Sequence, residues 1–400
     1  MGRYTRRQAL ALGATTISGL AGCSSELVTD SAPAADESSP ETGGRPTRES
    51  RTPARTLTPQ EERPPLDVRG ALYLPARAFN HYQMWANYDR EVIERDLGYA
   101  ARLNLNAVRS WLSFEHWRED PEAHARKLEH FLSAAADRDI RILIGFFDSV
   151  GESPTEKRLH DTDIRTATAV RSPPDKISAN PKNWDVAREF VRWLMERHRD
   201  DDRLLGIEAN NEPGWSEISR KFTRGMMKTM REERGSVPLT VGSTSVANDT
   251  FYREWGSEIQ QFHYNFPRNQ RTFRDALRQV NVIADRMEDP FWLTEWQRVR
   301  QSRGFHSAPP PDQRVPNYSS MAPIIHAAGV GNFFWSLMLK PAHVKSQRQH
   351  GILNGVFHED GAVWSLDDAR ALKAMSGDSS FEGEERQEWP EWAKAAEGGF

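Results

Sequence analysis

The chain has 400 residues, enough for a large core, and a length that suits either two ordinary domains or one α/β barrel with appendages. Charged residues make up 28% of it and nearly cancel to a net charge of −4, which excludes the basic footprint of a nucleic-acid binder and leaves a small or neutral partner as the expectation. The 13 tryptophans offer flat apolar faces with an N–H handle, suited to core packing for most of them and to stacking on sugar rings for some.

The first predicted element is an export address. Arg6-Arg7 precedes a weakly apolar run from Ala9 to Leu20, too short to span a bilayer permanently, and Leu20-Ala21-Gly22-Cys23 follows. Residues 1–22 therefore read as a twin-arginine signal peptide. The Leu-Ala-Gly-Cys run resembles the lipobox of bacterial and archaeal lipoproteins, which implies a lipid on Cys23 and a protein anchored by it to the outer face of the cell membrane. The competing reading of Cys23 is a free thiol in an ordinary secretory peptide. It is the one cysteine in the chain, so no disulfide is available to the exported protein. Residues 23–65 are Ser, Thr, Pro, Glu and Arg with hardly an aliphatic side chain, too little apolar surface to offset ordering entropy, and read as a disordered tether.

From residue 66 to 375, strand-like apolar runs alternate with helix-period runs. Eight strands are predicted: Val68–Leu74, Ala107–Leu112, Ile140–Phe147, Leu204–Ala209, Leu239–Val241, Ile259–Tyr264, Phe291–Thr294 and Val330–Leu337. Between them, Leu128, Phe131, Leu132 and Ala135 keep helical spacing after an Asp120-Pro121 start, as do Val186, Phe190 and Leu194, then Phe222, Met226 and Met230, then Phe273, Leu277 and Val280. No Gly-rich phosphate loop follows the first strand, so eight βα units in one domain predict a closed (β/α)8 TIM barrel over an open doubly wound sheet. The long polar stretch from Ser149 to Asn183 follows strand three and reads either as a lid or subsite wall at the mouth or as a disordered segment. Residues 376–400 are acidic and polar with scattered Trp, a tail with no fold assigned.

Reactive groups of such a barrel stand at the C-terminal ends of its strands. Strand four ends in Asn210-Asn211-Glu212-Pro213, strand seven in Thr294-Glu295-Trp296, strand two carries Arg109, strand six His263-Tyr264, and strand eight ends near Trp335. Two glutamates on strands that face each other across the mouth can supply a proton donor and a second carboxylate, the pair that glycosidic cleavage needs. His-Glu-x-x-His and Gly-x-Ser-x-Gly do not occur, and His116, His124 and His130 lack metal-ligand spacing, so neither a metal site, a cofactor nor a serine nucleophile is expected.

Asn211-Glu212-Pro213 and Thr294-Glu295-Trp296, with Arg109, His263 and Trp335 in order between Arg69 and Leu366, resemble clan A of the glycoside hydrolases, in particular the cellulase-like group around family five. The resemblance implies a retaining O-glycosyl hydrolase of β-linked glycosides or polysaccharides, with Glu212 as acid/base and Glu295 as nucleophile. It further implies that Asn211 binds the sugar 2-hydroxyl, Arg109 orients Glu295, Trp335 stacks under the sugar and His263 lines the pocket. The family often places Tyr two residues after that His, to bond the nucleophile; here Tyr264 is adjacent and Asn265 holds the expected position. Structural alternatives stand beside these roles: a helix-start acid for Glu212, a buried ion pair for Arg109, barrel filler for Trp335 and a core imidazole for His263. A sugar-binding lipoprotein with minor chemistry, or a transglycosylase using the same intermediate, would carry the same residues.

Overall fold

In the computed structural model the described residues are 67–265, 267, 269–297 and 317–400, so the signal peptide, Cys23 and the tether lie outside them. Eight strands form, each where the apolar runs place one: β1 (Arg69–Leu72), β2 (Ala107–Trp111), β3 (Arg141–Asp148), β4 (Leu204–Asn211), β5 (Leu239–Gly242), β6 (Gln260–His263), β7 (Phe291–Gln297) and β8 (Gly331–Trp335). They pair in parallel in the order β5-β4-β3-β2-β1-β8-β7-β6, and a bridge from Thr240 to Ile259 joins the two ends. This is a (β/α)8 barrel. β4 and β7 run two and three residues beyond their predicted ends at Ala209 and Thr294, because Asn211, Glu295 and Gln297 continue the parallel pairing although they are polar.

The helices are α1 (His81–Ala86), α2 (Arg90–Arg102), α3 (Phe114–Glu119), α4 (Pro121–Ala136), α5 (Glu156–His160), α6 (Asp175–Ser178), α7 (Asp185–His198), α8 (Glu217–Glu232), α9 (Val246–Trp255), α10 (Gln270–Met287), α11 (Tyr318–Ala328), α12 (Lys345–Gln349) and α13 (Leu366–Ala374). The start of α4 is as read from sequence: Asp120 accepts the Ala123 N–H at 2.8 Å and Pro121 sits where no N–H is needed. Leu128, Phe131, Leu132 and Ala135 then bury one face completely against the strands. Inside the barrel Leu72, Trp111, Leu143, Leu205, Trp292 and Phe333 fill the lumen. Gly70 makes room for Phe333, whose Cδ1 would lie 2.3 Å from any Cβ at that position.

The stretch from 149 to 183 takes a defined path at the mouth, with α5, α6 and a 3₁₀ turn at Pro181–Asn183. Neighbouring loops hold it. Gln83 Nε2 donates to the carbonyls of Leu159 (3.0 Å) and Asp161 (2.8 Å), and the Ala169 N–H donates to the carbonyl of His343 at 3.0 Å. Arg348, fully buried, donates from Nε to Ile164 O at 2.6 Å, from Nη1 to Ala342 O at 2.7 Å and from Nη2 to Ala167 O. Lys340, also buried, reaches back to the carbonyls of Pro75 and Ala78 after β1. The loops after β1, β3 and β8 are thus tied into one rim, of which this segment is an ordered part.

The segment from Ser376, a tail without assigned fold in the sequence reading, packs as part of the body. Trp389, Ala393 and Ala396 are buried against Leu339 and Leu353, beside the hairpin of β9 (Lys340–Pro341) and β10 (Leu353–Asn354). Ala393 and Ala396 lie in a 3₁₀ turn, Glu391–Ala396, and Trp389 just before it, among charges that hide them from average hydropathy.

Candidate active site

At the mouth, Arg109 of β2 is the hub. Its side chain is fully buried and all five of its N–H groups are used: Nε and Nη2 go to the two oxygens of Glu208 (3.0 and 2.9 Å), Nη2 also to Asn211 Oδ1 (2.8 Å), and Nη1 to Glu295 Oε1 (3.1 Å) and Thr294 O (3.3 Å). Glu208 in turn accepts from Trp111 Nε1 at 3.3 Å and Gln261 Nε2 at 3.0 Å, so both buried charges are compensated by geometry as well as by sign. Arg109 thus pairs with Glu208 through one edge of its guanidinium and with Glu295 through the other. Gly242 of β5 leaves the space for this network; a Cβ there would stand 2.8 Å from Arg109 Nη2 and 2.9 Å from both Asn211 Oδ1 and Glu208 Oε1.

A shift of register between Glu208 and Asn211 in the β4–β5 pairing sorts the strand end. Asn211 points inward, to Arg109 and, from Nδ2, to Asp148 Oδ1 at 3.0 Å, whereas Asn210 turns outward to Thr223 of α8 at 2.9 Å. Glu212 follows with φ of 47°, a left-handed backbone that lifts its side chain over the mouth. α8 begins at Glu217, so Pro213 is not a first helical residue and Glu212 is not a helix-start acid.

Glu212 and Glu295 meet around one imidazole. His263 Nδ1 stands 2.6 Å from Glu212 Oε1 and 3.4 Å from Glu295 Oε2, and an oxygen of each carboxylate and this nitrogen all lie within 4.8 Å of one another. Burial, reinforced by the negative charge of Asp148, pushes Glu212 up to about 7. Burial also raises Glu295, and Glu212 adds to the rise, against the pull of His263, Arg109 and Asn265. Burial lowers His263 to about 4, so the ring is neutral at pH 7.

Tyr264 does not join this group. Its ring stacks on Phe273 of α10 at 5.5 Å, in the layer between strands and helices, while its backbone N–H donates to Glu295 O at 2.9 Å. Asn265 takes the inward place two residues beyond His263 and donates from Nδ2 to Glu295 Oε2 at 3.1 Å. The irregularity in the β6–β7 pairing falls before His263, so it sets His263 opposite Glu295 and leaves Tyr264 on the outer face.

Trp335, partly exposed, packs on the lumen cluster with its ring 4.6 Å from that of His343. Beside it, Asp148 at the end of β3 is buried, yet His81 Nε2 at 3.1 Å, the Val150 N–H at 2.9 Å and Asn211 hold its carboxyl below the usual range. Sequence reasoning missed Glu208, Gln261, Asp148, His81 and His343. Glu208 alone left a signal, as a charged residue four before Glu212 in a strand otherwise fully buried.

Among the described residues Glu212, His263 and Glu295 are the group whose donors could hold a metal ion. Two ligands of a tetrahedral zinc at about 2.0–2.2 Å stand well over 3 Å apart. The 2.6 Å between His263 and Glu212 is hydrogen-bond spacing, so as it stands the trio is shaped for proton sharing.

No protein-family model and no curated protein sequence matches the chain. Solved structures do. An exo-β-1,4-mannosidase from Opitutaceae bacterium strain TAV5 superposes with a TM-score of 0.54 at 16% identity over 77% of this chain and 58% of its own. An endo-β-1,4-mannanase from Thermotoga petrophila gives 0.52 at 12% identity over 78% of this chain and 76% of its own. GH5_18 from Streptomyces cattleya, in complex with GlcNAc, gives 0.53 at 14% identity over 80% and 82%. The chain shares their barrel. It spans less than two thirds of the mannosidase, and these likenesses carry the fold.

Proposed function

We propose that the protein is a retaining glycoside hydrolase, with Glu212 as acid/base and Glu295 as nucleophile. The observation that carries the reading is the spacing of the two carboxylates, whose oxygens come within 4.8 Å of each other from β4 and β7. Retaining pairs stand about 5–5.5 Å apart and inverting pairs about 6.5–9.5 Å, so the shorter spacing supports direct attack by one carboxylate. The electrostatics fit the same division. Glu212, pushed up to about 7, holds a proton to give, while Glu295 has Arg109 and Asn265 on its two oxygens to favour its anion.

In the first step the Glu212 proton goes to the glycosidic oxygen as its bond to the anomeric carbon breaks, and a Glu295 oxygen bonds that carbon from the opposite side. In the second, Glu212, now a carboxylate, takes a proton from water, whose oxygen displaces Glu295 and restores both groups. Asn211, held by Arg109 and Asp148, would bind the sugar 2-hydroxyl, and Trp335 would stack beneath the ring. The substrate is a β-linked saccharide, and β-1,4-mannosides lead the candidates because two enzymes with this barrel are named for them. A twin-arginine leader and a lipid on Cys23 would place the enzyme on the outer face of the membrane; Cys23→Ser should release it into the medium, and retention in the membrane fraction would reject the anchor.

The test is a panel of aryl β-glycosides and β-linked polysaccharides, starting with mannosides, given to wild type and Glu295→Gln. Release of reducing sugar by wild type alone supports the reading, and equal activity in both rejects it.

A further inference from the structure

Trp111 of β2 and Trp335 of β8 both pack on the lumen cluster, so a side chain lying on either ring stands above the lumen and not outside the barrel. Each ring carries a histidine from a loop. His343, after β8, lies on Trp335 with centroids 4.6 Å apart, and His81, after β1, lies on Trp111 at 4.9 Å. His81 Nε2 meets Asp148 Oδ2 at 3.1 Å, and Asp148 Oδ1 accepts from Asn211, which links this cluster to Arg109. His81 Nδ1 and His343 Nδ1, however, are buried with no partner in the protein. A buried polar atom left unpaired costs about 1–3 kcal/mol, and neither ring has a part in the two steps above.

The loops that carry these histidines close one half of the mouth. β3 and β8 are three places apart in the sheet, with β2 and β1 between them. Their loops nevertheless bond to each other directly: the Ala169 N–H to His343 O at 3.0 Å, and Arg348 to Ile164 O at 2.6 Å and to Ala167 O. The loop after β1 is bound to both, through Lys340 to Pro75 O and Ala78 O and through Asn80 Nδ2 to Arg158 O at 3.3 Å. Glu212, His263 and Glu295 stand on the other half, at the ends of β4, β6 and β7. An acid/base stands beside the oxygen of the leaving group, so that group departs over the half from β4 to β7. The far edge of the cleaved ring, seated on Trp335, then points at the joined loops, and a chain continuing from that edge would have to pass between hydrogen-bonded segments.

We propose that this joined span is an end stop, and that the enzyme removes one sugar at a time from the non-reducing end of a β-linked chain, with His81 and His343 meeting the terminal hydroxyls. This rests on the glycosidase reading above. Asp148 takes the N–H of His81 Nε2, which leaves Nδ1 to accept from a sugar hydroxyl. A chain end supplies that hydroxyl. In an internal unit the same oxygen is part of a glycosidic bond and has no proton to give, so the histidine would stay unpaired as well as crowded.

The test gives wild type β-1,4-mannohexaose and cellohexaose, each with a fluorescent label at the reducing end, and reads the earliest products by mass spectrometry. The monosaccharide and the labelled pentasaccharide should appear alone. A 4-O-methyl cap on the non-reducing end should lower kcat/KM about 10–100-fold, and His343→Ala, which removes the side chain nearest Trp335, should shrink that penalty. Early release of a di- or trisaccharide from the unlabelled end, or equal rates on capped and uncapped chains, overturns the proposal. A penalty left unchanged in His343→Ala overturns the part given to that histidine. Wild type inert on both chains and on the whole aryl panel would instead overturn the glycosidase reading, a result distinct from internal cutting.

Discussion

His263 places a single ring nitrogen 2.6 Å from Glu212 and 3.4 Å from Glu295, so the two carboxylates of the site share one neutral partner. With Glu212 raised to about 7, the acid form predominates below neutrality. We expect kcat/KM to fall as pH rises through about 7, and His263→Asn to move that limb and lower kcat about 10–100-fold, as loss of a group orienting a general acid does. A pH–rate profile indistinguishable from wild type in the variant would contradict this.

Glu212→Gln should trade activity for stability, with a sign set by linkage. A folded pKa above the unfolded value means that the proton is held more tightly in the native state, so this stabilisation is full at low pH and is lost as pH rises through about 7. The amide never ionises. The variant should therefore melt higher than wild type at pH 8 and match it at pH 4, while losing about 10²–10⁴-fold in rate on unactivated glycosides. Calorimetry at the two pH values checks the sign.

Asn265 holds Glu295 from the side opposite Arg109. Removing its N–H in Asn265→Ala should raise the Glu295 pKa and shift the acidic limb of the rate profile upward; Asn265→Asp, which adds a like charge, should shift it further. An acidic limb that stays in place in both variants would show that Asn265 does not tune the nucleophile.

Arg109→Lys keeps the charge and loses the fork. An ammonium has three donors on one centre and cannot reproduce five bonds to Glu208, Asn211, Glu295 and Thr294. Breaking a buried pair of this kind costs about 3–5 kcal/mol, and we expect a loss of that order in denaturant unfolding together with near-complete loss of turnover.

Gly242→Ala puts one methyl among Arg109, Asn211 and Glu208 at 2.8–2.9 Å. Overpacking costs about 1–3 kcal/mol, so the protein should fold while kcat drops at least tenfold. Unchanged kcat would mean that the network tolerates displacement.

The barrel was legible because its strands are apolar and its helices periodic, and those patterns do not depend on partners. Glu212, Glu295, Arg109, Asn211 and His263 were legible as polar residues at strand ends, and the structure brings them together. Whether Tyr264 or Asn265 meets Glu295 turned on strand alternation and on a one-residue irregularity that no composition rule locates; here Asn265 makes the contact and the Tyr264 ring stacks on Phe273. Asp148, His81 and His343 were invisible because their meeting depends on loops after β1, β3 and β8 that share no sequence pattern. The buried set of Trp389, Ala393 and Ala396 was diluted by the charges around it.

Arg348 and Lys340 anchor the rim with cations buried against backbone carbonyls, and carbonyls, unlike carboxylates, do not titrate. Burial lowers Lys340 to about 7, so its part of the grip weakens as pH rises through neutrality, whereas Arg348 keeps its charge there, and these loops are held without a ligand. Ordering entropy is then a cost of folding rather than of binding. The described loops after β1, β3 and β8 should therefore take a ligand without a closing step of their own.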